Sequence, residues 1–287
     1  MGAWATLPLT GCTGPLPFGR GPEIGTVDAP EAGPPDYRSR VPAASAYPGG
    51  RRGAAIQRGT PSALPPWAFG HHVLASRPDW LGTGFRDYAE AVAIEPAVVY
   101  AGDTGPGVVA DAVAGTGYGR TGAYEGYELY ERADSGRTVA VTEGTVIWAS
   151  HERSRAVATS LADARAGRTA RRHAVDGAFD AVTEPGTLDF DIVGAGFGLG
   201  LESTSGASTV ATSFAYREDV TYTRSQYRFP DGGSVPADDI EAEIREGDGF
   251  ENAAAAEVRT EGRRAVVELR QGPDVDPEGW TPTPQIT

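Results

Sequence analysis

The sequence contains no lysine. All 25 basic residues are arginine, set against 39 aspartates and glutamates, and the formal net charge is −14. A P-loop cannot take its usual form without its phosphate-binding lysine, and the acidic balance argues against a nucleic-acid partner, whose backbone needs a basic surface. Cysteine occurs once, at Cys12, so no internal disulfide staples the fold. No apolar run reaches the roughly 18 to 20 residues that a bilayer-crossing helix needs. The histidines, His71, His72, His151 and His173, show neither Glu-x-x-His nor His-x-x-x-His spacing, and no Gly-x-Ser-x-Gly elbow occurs. No metal site and no cofactor is therefore expected. Gly194, Gly196, Gly198 and Gly200 follow an apolar stretch, but their alternation is not the Gly-x-Gly-x-x-Gly of a dinucleotide site; bare positions on one face suit close packing or a bend.

What is present begins with Leu9-Thr10-Gly11-Cys12. Small residues lead to the lone cysteine behind an apolar run, and a Pro- and Gly-rich stretch follows. The motif resembles the lipobox of prokaryotic lipoproteins, in which the cysteine is lipid-modified and becomes the new N-terminus; one departure is that no basic residue precedes Arg20. Acidic excess without lysine is similar to the proteins of extreme halophiles, where a carboxylate-covered surface stays hydrated in concentrated salt. Together the two features resemble haloarchaeal lipobox-containing extracytoplasmic lipoproteins. The resemblance rests on residues 1–14 and on composition, so what it implies is a lipid anchor at Cys12 and a place on the outer face of the cell membrane. It transfers no binding residues.

Residues 15–66 are dense in Pro, Gly, Ala, Ser and Arg without periodicity, and read as a loose tether. A first α+β domain is expected over 67–167. It includes a hairpin turning at Glu143-Gly144 and a helix over 154–166, capped by Ser154 and ended by Gly167. A link with Arg168, Arg171, Arg172 and His173 leads to a second α+β domain over 178–271. Here residues 188–201, 209–216 and 216–229 read as strands, and Pro230-Asp231-Gly232-Gly233 as a turn. A helix follows with Ile240 and Ile244 on one face and Gly247 as its stop. Strands over 254–260 and 264–270 turn at Glu261-Gly262, the second with Glu268 and Arg270 on its solvent side. A β-α-β-β order near 88–141 matches that of 216–270 at an offset of 128 residues, as a duplicated unit would. The expected fold is α+β: two possibly duplicated domains, each a mainly antiparallel sheet with helices packed on one face. Residues 272–287 read as a disordered tail.

The binding candidates are aromatic and cationic. Tyr124 and Tyr130, with Tyr127 opposite, crowd one expected strand; Tyr222 and Tyr227 lie beside Arg224 and Arg228 on another. Tyr and Arg combine contact area with hydrogen-bonding tips, which enriches them at interfaces; cross-strand pairs stabilising a sheet are the other reading. With no catalytic constellation, the expected role is non-catalytic binding of a protein or small ligand. The alternatives are a secreted hydrolase or cation-dependent enzyme working through Asp189, Asp191 or the histidines, and a structural envelope component.

Overall fold

A computed structural model describes residues 22–48, 55–66, 68–75, 84–132, 134–194, 198–247, 250 and 252–272. Cys12 and its motif, Gly196 and residues 273–287 lie outside them. The fold is α+β, dominated by one mainly antiparallel sheet. In chain order its elements are β1 (Glu23–Ile24), β2 (Ile56–Gly59), α1 (Phe69–Ala75), β3 (Tyr88–Ile94), β4 (Ala97–Gly102), α2 (Pro106–Val113), β5 (Gly119–Tyr124), β6 (Tyr127–Arg132), β7 (Arg137–Thr142), β8 (Thr145–Ser150), α3 (Ser154–Arg165), α4 (Arg172–Val175), α5 (Gly177–Thr183), β9 (Phe190–Gly194), β10 (Thr209–Arg217), β11 (Val220–Arg228), α6 (Ala237–Glu246), β12 (Ala253–Glu261) and β13 (Arg264–Gln271).

The strands lie in the order β1-β12-β13-β11-β10-β9-β2-β3-β4-β8-β7-β6-β5. Every pairing is antiparallel except that of β1 with β12. Because β2 pairs with β3 on one side and β9 on the other, the two regions expected to be separate sheets form a single one.

Helices cover both faces, which corrects the expectation of one covered face. On the first face α3 and α5 bury Val157, Leu161, Phe179 and Val182 against Val92, Val99, Leu129, Ile147 and Val193. On the second, Val109 and Val113 of α2 and Leu74 of α1 meet Tyr100, Val139, Val141, Trp148 and Phe190. The second face continues through β10, where Phe214 and Val210 point the same way, to a further cluster under Ile240 and Ile244 of α6. Burial from both sides explains the near-continuous apolar runs of β3, β4 and β8, where a half-exposed strand would alternate.

The turn at Glu143-Gly144 and α6 itself fall where the sequence places them, while the last hairpin turns one residue later than expected, at Gly262-Arg263, because Glu261 still pairs with Arg264. Three other readings change. Residues 119–132 are a hairpin, not one strand, since Glu125 and Gly126 both adopt positive φ and close a two-residue turn. Residues 209–228 form a second hairpin that turns at Glu218-Asp219. Ser154 is the first residue of α3; its hydroxyl pairs with Thr138 Oγ1 at 2.7 Å instead of capping the backbone.

α6 shows how the helices are held. Acidic residues occupy its outer side and Ile240 and Ile244, four apart, are fully buried. Ile240→Ala should lower stability by about 3 kcal/mol, within the 2–5 kcal/mol typical of a buried Ile. Val108→Ala on α2, where Val108 is 44 % exposed, should stay within about 0.5 kcal/mol of wild type. Urea unfolding midpoints of the two variants check both expectations.

Candidate functional site

Residues 22–48 and 55–66, expected to be a loose arm, are packed. Residues 22–48 form a strap across the first face of the sheet. β1 starts it alongside β12, with Gly25 N donating to Ala256 O at 2.8 Å. Val27 N then donates to Glu257 Oε2 at 2.7 Å, and Gly33 bridges to Thr187. Tyr37 is buried and its hydroxyl donates to Asp191 Oδ2 at 2.6 Å. Arg38 pairs with Asp180, His173 Nδ1 lies 2.7 Å from Arg38 O, and Tyr47 OH donates to Ile94 O at 2.8 Å. Proline suits such a path because it lacks an N–H that would need a partner. Pro35, Tyr37, Val41, Pro42, Ala43 and Tyr47 sink into the fold. The strap rests directly on Gly186, where a Cβ would stand 2.7 Å from the Ala32 carbonyl carbon and φ is +106°.

Beneath the strap the strand register aligns a polar row across six strands: Arg58 on β2, Asp191 on β9, Ser213 on β10, Arg224 on β11, Glu268 on β13 and Glu257 on β12. The row is nearly dry. Glu268, read from the sequence as solvent-facing, is 2 % exposed and accepts from Arg224 Nε at 2.5 Å and Arg259 Nη1 at 2.8 Å. Its hydrogen bond holds the Arg259 guanidinium firmly charged. At the other end Asp191 is 0 % exposed. Burial pushes its pKa up to about 7, against the pull of Arg58, whose positive charge favours the ionised form, and of Tyr37 and Thr187. The same burial and the neighbouring carboxyl raise the Tyr37 phenol well above its ordinary range.

Where the strap passes the ends of β2, β3, β9 and β10 it stands away from the sheet and leaves a groove of about 270 Å³. Its walls are Pro30, Glu31, Pro34, Pro35 and Asp36 from the strap, facing Arg58, Glu90, Thr187, Asp189 and Arg217. Arg58 Nη1 donates to Leu188 O at 2.7 Å while its Nε stands 3.5 Å from Glu90 Oε1; Arg217 Nη1 donates to Asp189 Oδ2 at 2.6 Å. Thr187, 7 % exposed, lies beside Asp191, and its side chain hydrogen-bonds the Asp191 carboxyl.

The Tyr and Arg residues singled out from the sequence are not brought together. Tyr124 and Tyr127 face each other across the β5–β6 hairpin on one side, and Tyr130 lies on the other. Tyr124 OH donates to Asp163 Oδ2 at 2.9 Å, and that hydrogen bond raises its pKa. Tyr130 OH donates to Glu128 Oε2 at 2.8 Å. Far across the sheet Tyr227 is fully buried; its hydroxyl accepts from Leu199 N at 2.8 Å, and burial pushes its pKa up to about 12. Of the alternating glycines, Gly198 serves this packing, since a Cβ there would stand 2.7 Å from the Tyr227 ring, whereas a Cβ on Gly200 would meet nothing within 4 Å. Tyr222, Arg224 and Arg228 point to the opposite face; Arg224 belongs to the buried row, and Arg228 lies 4.0 Å from Asp231. Asp189 and Asp191 do share a side, one in the groove and one beneath it. Among the described residues no three His, Cys, Asp or Glu are placed to hold a metal ion, and no helix is long and apolar enough to cross a membrane. Sequence reasoning missed Arg58, Glu90 and Tyr37. The available signal was a charge inside a short strand, Arg58 between Ile56 and Gly59.

The sequence matches no family model and no curated protein. The fold is similar to crystal structures of TP0453. Form I aligns over 82 % of this chain and 93 % of that one at 9 % identity, with a TM-score of 0.50. Form IV covers 83 % and 94 % at 12 % identity with a TM-score of 0.47, and form III 81 % and 93 % at 13 % with 0.43. At such identities the likeness concerns the fold alone.

Asp191 sets a pH dependence with a definite sign. Its folded pKa, about 7, lies above the ordinary 3.8. Its contribution to stability is therefore complete below about pH 4 and lost as pH rises to about 7. The span corresponds to on the order of 4 kcal/mol. Asp191→Asn should flatten this limb of the stability profile relative to wild type, as urea midpoints measured from pH 4 to pH 8 will show.

Proposed function

We propose that this chain is a halophilic, lipid-anchored extracytoplasmic protein whose role is non-catalytic binding of a ligand in the groove between strap and sheet. The observation that carries the binding part is the groove itself. It is concave and polar, and it is framed by side chains that sheet and strap fix on opposite walls. The anchoring part is supported by the position of the chain's one cysteine, Cys12, at the end of Leu9-Thr10-Gly11. From Cys12 to Pro22 is ten residues, a reach of at most about 35 Å, which would keep the β1–β12 edge near the membrane surface.

A second reading, a secreted hydrolase or cation-dependent enzyme, is favoured by one observation. The Asp191 carboxyl has a pKa of about 7, the range suited to general acid–base work, close to Asp189. The duplication expected from the sequence is supported by element order. Outward from the central β2 and β9, one side runs β3-β4 then β6-β5 and the other β10-β11 then β13-β12, with α2 and α6 between the hairpins on the same face and β7-β8 as an added hairpin. In this correspondence β3 answers to β10, so the match of Tyr88 with Tyr216 is displaced by most of a strand.

Two measurements test the proposal. Wild-type protein expressed in a lipoprotein-processing host should incorporate labelled lipid and sediment with membranes, and Cys12→Ser should do neither; label persisting in Cys12→Ser refutes the anchor. Native mass spectrometry after exposure to a small-molecule extract should show an adduct on wild type that Arg58→Ala and Glu90→Ala lose. Turnover of a substrate that survives Arg58→Ala but not Asp191→Asn would select the enzyme.

A further inference from the structure

Asp-Gly pairs occur at Asp176-Gly177, Asp231-Gly232 and Asp248-Gly249, the last outside the described residues. In such a pair the side-chain carboxyl and the next main-chain nitrogen can close a five-membered ring, because glycine brings no side chain to obstruct the approach. The fold treats the first two pairs in opposite ways.

Asp176 is committed. It is the N-cap of α5: Oδ1 accepts from Phe179 N at 3.0 Å, Oδ2 accepts from Arg172 Nε at 3.2 Å, and its carbonyl accepts from Asp180 N at 2.9 Å. Swinging this carboxyl onto Gly177 N would break the cap, and Gly177 is itself the first residue of the helix.

Asp231 has no such duty. Residues 230–234, which join β11 to α6, are all exposed, and the Asp231 side chain is 87 % exposed. Gly233 N reaches Pro230 O at 3.4 Å across a turn whose third residue, Gly232, has φ of +92° and nothing within 4 Å of where a Cβ would stand. Among the described residues Gly232 N has no acceptor, so the nitrogen is open to attack the neighbouring carboxyl. The Asp231 carboxylate meets Arg263 and lies 4.0 Å from Arg228, exposed pairs that cost little to part.

From this contrast we infer that Asp231-Gly232 is a modification site, at which aspartate converts spontaneously to isoaspartate while the fold protects Asp176-Gly177. Gly232 N attacks Asp231 Cγ; a C–N bond forms, and the carboxyl hydroxyl leaves with the amide proton as water. Water then adds to the Asp231 main-chain carbonyl and breaks its bond to Gly232 N. The main chain now runs through the former side-chain carboxyl, the former main-chain carbonyl is a free carboxylate, and mass and oxidation state are unchanged. The turn gains one methylene in its backbone, and its carboxylate leaves the position from which it meets Arg263 and Arg228. The connection into α6 is thereby uncoupled from the turn between β12 and β13, where Arg263 sits.

The full chain, held for several weeks in warm buffer at about pH 5, where more of an ordinary aspartate is in the reactive neutral form than at pH 7, provides the test. Proteolytic peptides are separated by reversed-phase chromatography and read by electron-transfer fragmentation, which tells isoaspartate from aspartate at equal mass. A parallel sample in guanidinium chloride and the variant Asp231→Glu, whose longer side chain cannot close the same ring, complete the set. In the folded chain isoaspartate at 231 should exceed that at 176 by about tenfold or more, the ratio reporting the cost of opening the α5 cap. In denaturant the two positions should convert to similar extents, and Asp231→Glu should show no conversion at 231. Equal isoaspartate at 176 and 231 in the folded chain overturns the inference. Aspartate retained at 231 in the folded chain while the denatured sample converts overturns it as well.

Discussion

The hydrogen bond from Tyr37 to Asp191 fixes the strap to the middle of the sheet, and the arrangement of the site follows from it. Asp191 is enclosed on β9 with Arg58 beside it in register, and Tyr37 closes the top. A buried carboxyl needs such company, because an isolated charge in a dry interior is far too costly. The contact places the short turn of Asp36–Ser39 over the sheet, and with it Pro34, Pro35 and Asp36 along one wall of the groove.

The polar row is a cost that this architecture accepts. A sheet covered on both faces would ordinarily carry apolar residues on both, as β4 and β8 do. Across β9, β11, β13 and β12 one face instead carries Asp191, Arg224, Glu268 and Glu257. There the charges neutralise one another or take a backbone N–H from the strap. Removing one partner of such a row leaves another charge buried and alone, which costs more than the pair contributes. The row therefore specifies where the strap lies more than it adds to stability.

What was legible in the sequence was local. Glu143-Gly144 announces its hairpin because turn chemistry depends on the two residues in the turn, and Gly262 marks the last hairpin to within one residue. Ile240 and Ile244 announce α6 because the apolar period is a property of the helix alone. The β5–β6 hairpin was harder to see, since tyrosines run through it and Glu125 is not a residue that usually adopts positive φ. The tether reading of residues 22–48 failed for a related reason. Pro, Gly and Ala have no periodicity to detect, yet a few buried side chains, Tyr37, Val41 and Tyr47, anchor the segment to a surface supplied by distant strands.

The sequence by itself determined the acidic, lysine-free composition, the lone Cys12 behind Leu9-Thr10-Gly11, the α+β class and the positions of several turns and helices, because each depends on residue type or near neighbours. Only the tertiary structure decided that the two expected domains share one sheet, that helices cover both its faces, and that Arg58, Glu90, Asp189 and Asp191 meet under the strap. Those outcomes depend on strand register. A shift of one residue sends every side chain of a strand to the other face, and no local pattern sets the register between strands more than a hundred residues apart, as β2 and β9 are.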